Sequence, residues 1–135
     1  MSEHANVAGA PAAIGVGELL ELLDRGEHLL LLDVRNQDEF ESWRLEGRRP
    51  LPTVHVPYFD FLEAPEASMA KVPRDGQLVV LCAKGGSSEM VVEQLREAGI
   101  AARNVAGGMV AYGDHLEPVR IPLTPGEASR FELWQ

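Results

Sequence analysis

A chain of 135 residues, 45% hydrophobic and 24% charged, has the size and make-up of one globular domain that buries about two-thirds of its unfolded surface. Its 12 basic and 21 acidic side chains leave a formal net charge of −9, which argues against nucleic acid as a general partner. A single cysteine cannot close an internal disulfide, no run approaches the roughly 20 apolar residues of a membrane span, and the first residues lack the basic and apolar parts of a leader peptide.

These features predict a cytoplasmic protein in a reducing compartment, with no membrane association. Residues 1–12 are small and polar and read as a flexible N-terminal arm before a domain over 13–118. Ile14-Gly15-Val16 reads as a short edge strand. Leucines at 19, 20, 22 and 23 then form a helical stripe over Glu18–Arg25, and Gly26 ends it. Leu29-Leu30-Leu31-Leu32-Asp33-Val34 is a continuous apolar run too short for a separate helix, which suits a parallel strand covered on both faces.

Asn36, with Glu39 three residues on, has the pattern of a helix-capping box. Asp33 and Arg35, a charged pair at a strand end, read as scaffold that fixes a turn. Residues 43–52 are polar and irregular and hold the basic cluster Arg44, Arg48 and Arg49, a solvated loop or a rim that attracts an anion. Thr53–Val56 is β-prone and Pro57 stops it. Tyr58–Leu62 and Ala64–Ala70 read as helical turns interrupted by Pro65, and Pro73-Arg74-Asp75-Gly76 as a turn.

The stretch richest in chemistry follows. Leu78-Val79-Val80-Leu81 is a buried strand that ends in Cys82; Ala83-Lys84-Gly85-Gly86 forms a loop; a helix then begins at Ser87 or Ser88, capped by either serine, and Gly99 closes it. Such a turn aims backbone N–H groups and a positive dipole end at its occupant. Beside Lys84, those groups favour the thiolate over the thiol, and a thiolate is a nucleophile. Two glycines and a lysine directly after a cysteine do nothing for a core. Ala101–Val105 reads as another strand, Ala106-Gly107-Gly108 as a break and Met109–Leu116 as a helix. Alternating strands and helices predict a parallel α/β sheet, and ligands bind such sheets beyond the carboxyl ends of the strands, where Cys82 falls. Residues 119–135 form a tail of different character, broken by prolines and ending in Phe131, Leu133 and Trp134. It packs on the domain, forms an interface, or leads into a second domain.

Other chemistries find no footing. His4, His28, His55 and His115 are scattered, no HExxH occurs, and one cysteine makes zinc ligation a poor fit. The GxSxG elbow of serine hydrolases and the full phosphate-loop pattern of nucleotide-binding proteins are both missing.

The pieces, taken together, resemble the rhodanese-like sulfurtransferase domain over residues 14–118. They are Leu32-Asp33-Val34-Arg35 with Glu39-Phe40, Val54-His55-Val56-Pro57, Cys82-Ala83-Lys84-Gly85-Gly86-Ser87-Ser88, and Gly107-Gly108-Met109-Val110-Ala111-Tyr112. Tyr112 stands where the family usually has tryptophan. A closer likeness is to the rhodanese portion of proteins that join this domain to a metallo-β-lactamase-like domain, on the loop CAKGGSSEM, His115-Leu116-Glu117-Pro118 and residues 131–135.

The resemblance implies a five-stranded parallel sheet flanked by helices on both faces. It also implies a two-step transfer of sulfane sulfur through a Cys82 persulfide, from thiosulfate or a persulfide or polysulfide donor to cyanide, sulfite or a low-molecular-weight thiol. Backbone groups of Ala83, Lys84, Gly85, Gly86, Ser87 and Ser88 would hold the anion, with Lys84 as its cation and Asp33 and Arg35 as support. No cofactor or metal is implied. Phosphatases of the same fold end their loop in an arginine where this chain has Ser88. The alternative is a non-catalytic sulfur-sensing or regulatory module that partners a metallo-β-lactamase-fold persulfide enzyme.

Overall fold

The computed structural model describes residues 11–116. Five strands, β1 (Ala13–Ile14), β2 (Leu29–Asp33), β3 (Thr53–His55), β4 (Gln77–Leu81) and β5 (Ala102–Val105), form one sheet in the order β1-β5-β4-β2-β3. Every pairing is parallel, with Asp33 opposite Leu81 and Val80 opposite Asn104. The connections carry α1 (Val16–Asp24), α2 (Gln37–Ser42), α3 (Tyr58–Glu63), α4 (Pro65–Met69), α5 (Gly86–Glu97) and α6 (Gly108–Leu116).

The two-residue side-chain period of the strands splits the core in two. On one face Leu30, Leu32, Leu78, Val80 and Ala102 pack with Phe61 of α3 and Val91, Val92 and Leu95 of α5. On the other, Leu29, Leu31, Val79, Leu81 and Val105 pack with Leu19 and Leu23 of α1 and Met109 and Tyr112 of α6. All five residues of β2 are buried. The unbroken leucine run is therefore what a central strand with helices on both faces requires.

The capping box forms: Asn36 Oδ1 accepts from the Glu39 N–H at 2.8 Å, and the Glu39 carboxylate accepts from the Asn36 N–H. Pro65 occupies the first turn of α4, where its missing N–H has no intrahelical partner to lose. Two boundaries differ from the sequence reading. Val16 belongs to α1 and leaves the edge strand with Ala13 and Ile14. Extended Gly15 serves as N-cap, its carbonyl accepting from the Leu19 N–H at 3.0 Å, so Val16 turns into the helix and buries against the core. The helix after Cys82 starts at Gly86, ahead of both serines. The N-terminal arm through residue 10 and the tail 119–135 lie outside the described residues.

Candidate active site

β4 delivers Cys82 to the carboxyl end of the sheet, between β2 and β5. Its side chain shares the face of Val80 and of α5 and is 4% exposed. The chain then turns through Ala83, Lys84 and Gly85 into α5. Gly85 is the N-cap, with φ +104°, a left-handed conformation open to glycine at little cost. A side chain there would also press on the backbone of Gly107, 3.1 Å from the ideal Cβ position.

Neither serine caps α5, contrary to the sequence reading, because the left-handed turn at Gly85 already ends the loop and places both serines inside the helix. Ser88, fully buried, turns its hydroxyl toward the cysteine instead. The Gly85 N–H donates to Cys82 Sγ at 2.9 Å, and the Ser88 hydroxyl lies at donating distance from the same sulfur, 3.2 Å. At the start of α5 the N–H groups of Gly86, Ser87 and Ser88 have no preceding helical carbonyl to bond. The sulfur therefore sits against the amino end of α5, beside backbone N–H groups and the positive end of the helix dipole.

The loop is held from outside by α6. The N–H groups of Met109 and Val110 donate to the carbonyls of Cys82 and Ala83, both at 3.0 Å. Because C=O and N–H point opposite ways in a trans peptide, holding these two carbonyls against α6 turns the N–H groups of Ala83 and Lys84 away from it. Lys84 is exposed, and among the described residues it forms no ion pair.

Asp33 and Arg35 stand at the end of the neighbouring strand as a buried fork. Arg35 donates Nε to Asp33 Oδ1 at 3.0 Å and Nη2 to Oδ2 at 2.8 Å, while Nη1 donates to the Glu39 carbonyl at 3.0 Å. Among the described residues no hydrogen bond joins either to the cysteine loop; their bonds run between β2 and the start of α2 beside it. His55 Nε2 lies 2.6 Å from the Arg35 carbonyl, and its imidazole stacks on Phe40. The Phe40 ring also meets the Arg44 guanidinium, 4.2 Å from its centroid.

Arg44 and Arg49 of the basic cluster lie in different surroundings. Arg44 is engaged on Phe40, and the Arg49 guanidinium lies against Gly26, ahead of β2 and at the opposite end of the sheet. Tyr112 donates its hydroxyl to the Glu46 carbonyl at 3.1 Å and tethers this loop to α6. A cleft of about 640 Å³ borders Pro73, Gly76, Arg96 and Arg103 at the amino end of β4, away from the cysteine loop. Among the described residues no group of three or more His, Cys, Asp or Glu is placed to hold a metal ion, and no helix is long and apolar enough to cross a membrane. Asn104, adjacent to Ser88 in this cluster, is a site residue that the sequence reading missed.

Comparison with known proteins gives a consistent result. Residues 15–115 match the family described as "Rhodanese-like domain". The chain is 36% identical over 114 residues to "Adenylyltransferase and sulfurtransferase MOCS3-2" of Zea mays, covering 84% of this chain and 23% of that protein. It thus spans about a quarter of the length of the maize relatives it matches. "Thiosulfate sulfurtransferase 18" of Arabidopsis thaliana is 32% identical over 119 residues, covering 79% of this chain and 82% of that one. Among solved structures, the human single-domain sulfurtransferase TSTD1 superposes with a TM-score of 0.60 at 26% identity, covering 78% of this chain and 97% of its own.

Proposed function

The chain belongs to the rhodanese-like domain family, and on that footing we propose that it moves sulfane sulfur through a persulfide on Cys82. The observation that carries this reading is the convergence of the Gly85 N–H, at 2.9 Å, and the Ser88 hydroxyl, at 3.2 Å, on Cys82 Sγ. The Gly85 N–H and the Ser88 hydroxyl are the kind of preorganised hydrogen-bond groups that hold a charged sulfur during transfer.

In the first step the Cys82 thiolate attacks the outer sulfur of thiosulfate. The new S–S bond forms as the old one breaks, sulfite leaves with the electron pair, and Cys82 becomes an anionic persulfide. In the second step a thiophilic acceptor such as cyanide attacks the outer sulfur, forming thiocyanate and returning the thiolate. Persulfide and polysulfide donors fit the same scheme, with a thiol or a shortened polysulfide as leaving group. The N–H groups of the loop 83–88 bind the anionic atoms, and Lys84 at the rim attracts the charged donor.

The test is incubation with thiosulfate, intact-mass measurement, then cyanide and a thiocyanate assay. A gain of one sulfur atom that cyanide removes as thiocyanate is the expected result. If thiosulfate, glutathione persulfide and polysulfide all fail to load the protein, the reading falls in favour of a regulatory module partnering a separate persulfide enzyme.

A further inference from the structure

Asn104 lies on β5 facing α5, on the same side of the strand as Ala102, and is 5% exposed. A buried amide on a core-facing strand position is costly unless its polar atoms are bonded, and its partner is Ser88, whose hydroxyl donates to Asn104 Oδ1. Ser88 Oγ also lies 3.2 Å from Cys82 Sγ and 3.3 Å from the Gly85 carbonyl. One hydroxyl proton thus faces three acceptors and serves one of them at a time.

We infer that Asn104 is a positioning residue that sets the direction of the Ser88 hydroxyl and, through it, the hydrogen bonding of Cys82. An asparagine amide presents an oxygen or, turned over by about 180°, an NH2 group from the same place. With oxygen toward Ser88, the chain runs from the Cys82 S–H to Ser88 Oγ and from the Ser88 O–H to Asn104 Oδ1, which suits the thiol. When the thiol proton leaves for solvent, the amide turns, Nδ2 donates to Ser88 Oγ, and the Ser88 O–H donates to the thiolate. On the sulfurtransferase reading that thiolate is the nucleophile of the first half-reaction and the leaving group of the second, so one reversible chain assists both. An aliphatic residue at 104 would leave Ser88 free to spend its proton on the Gly85 carbonyl.

The test is a double-mutant cycle on the full chain, reading Cys82 alkylation by iodoacetamide at neutral pH from the intact mass. Ser88→Ala is expected to slow alkylation about tenfold, the scale of a hydrogen bond to a charged group. Asn104→Ala alone is expected to slow it about three- to tenfold, and to have no further effect in the Ser88→Ala background, because it acts through the missing hydroxyl. In sulfur loading, Asn104→Ala lowers the maximal rate and leaves the half-saturating thiosulfate concentration unchanged. Equal slowing of alkylation in both backgrounds, or no slowing in either, overturns the inference. If Asn104→Ala does not fold, Asn104→Thr, β-branched and without an amide, is read by the same two outcomes. Alkylation needs no sulfur donor, so a wild-type protein that alkylates as expected but takes up no sulfur would overturn the transfer reading alone.

Discussion

Gly108 and Cys82 pack backbone against backbone: a Cβ built on Gly108 would lie 2.2 Å from the Cys82 carbonyl oxygen and 2.8 Å from Ala83. Gly108 also has φ +57°, so the position demands glycine twice. This close approach lets the first N–H groups of α6 hold the loop carbonyls.

Gly108→Ala is therefore expected to destabilise the protein by roughly 2 kcal/mol or more, the left-handed strain of an L-residue plus displacement of backbone that cannot rotate away. Gly86→Ala is the matched control. Its Cβ meets nothing within 4 Å, and alanine in place of glycine in a helix gains about 0.5–1 kcal/mol. Urea unfolding of both variants checks the pair. A Gly108→Ala protein as stable as wild type would remove the close-approach argument.

The buried fork between Asp33 and Arg35 predicts an asymmetric response. Their side chains are 1% and 4% exposed, and Arg35→Leu leaves the Asp33 carboxylate without its counter-charge. Breaking a buried pair from one side costs about 3–5 kcal/mol, which thermal unfolding would register as a large drop in midpoint. Because neither residue hydrogen-bonds to the cysteine loop among the described residues, the folded fraction of Arg35→Leu should alkylate at Cys82 at close to the wild-type rate. A slow but stable Arg35→Leu protein would instead give Arg35 a part in the chemistry.

The backbone plan was legible because its signals are local. The leucines of β2 and the strand–loop–helix around Cys82 lie within a few residues of one another, and Asp33 and Arg35, two residues apart, bond to each other where β2 ends. Asn104 was not legible, since it reaches Ser88 only through the parallel register that sets it opposite Val80. Nothing in Ala102-Arg103-Asn104-Val105 reports that neighbour. The caps at the loop were misread for a related reason. Two serines fit the usual N-cap pattern, but Gly85 reached its left-handed conformation first, packed against Gly107. Arg44, Arg48 and Arg49 are close in sequence, yet an irregular loop spans the length of the sheet and carries Arg44 and Arg49 to different surroundings.

Lys84 is exposed and forms no ion pair among the described residues, which leaves its charge available to an anion. Lys84→Ala is expected to raise the half-saturating thiosulfate concentration about three- to fivefold, the scale of a solvent-exposed charge interaction, with no change in thermal midpoint. Added salt should slow thiosulfate loading in the wild type and do so less in the variant, because screening removes what the substitution has already removed. Identical salt dependence in the two proteins would show that Lys84 does not attract the donor.

Cys82→Ser separates the sulfur's chemistry from its place in the fold. Cys82 lines one core, accepts from the Gly85 N–H and lies within hydrogen-bond reach of the Ser88 hydroxyl. A serine oxygen at the same position accepts from the Gly85 N–H and stays within reach of Ser88. Its poorer fit to apolar neighbours is offset by stronger hydrogen bonds, so the net change in stability is expected to stay within about 1 kcal/mol. A serine hydroxyl at neutral pH is a poor nucleophile toward sulfur without a base beside it. The variant should therefore unfold near the wild-type midpoint while gaining no sulfur from thiosulfate, glutathione persulfide or polysulfide and releasing no thiocyanate. A folded Cys82→Ser protein that still takes up sulfur would remove Cys82 from the reaction, and with it the supporting roles of the loop, Ser88 and Asn104.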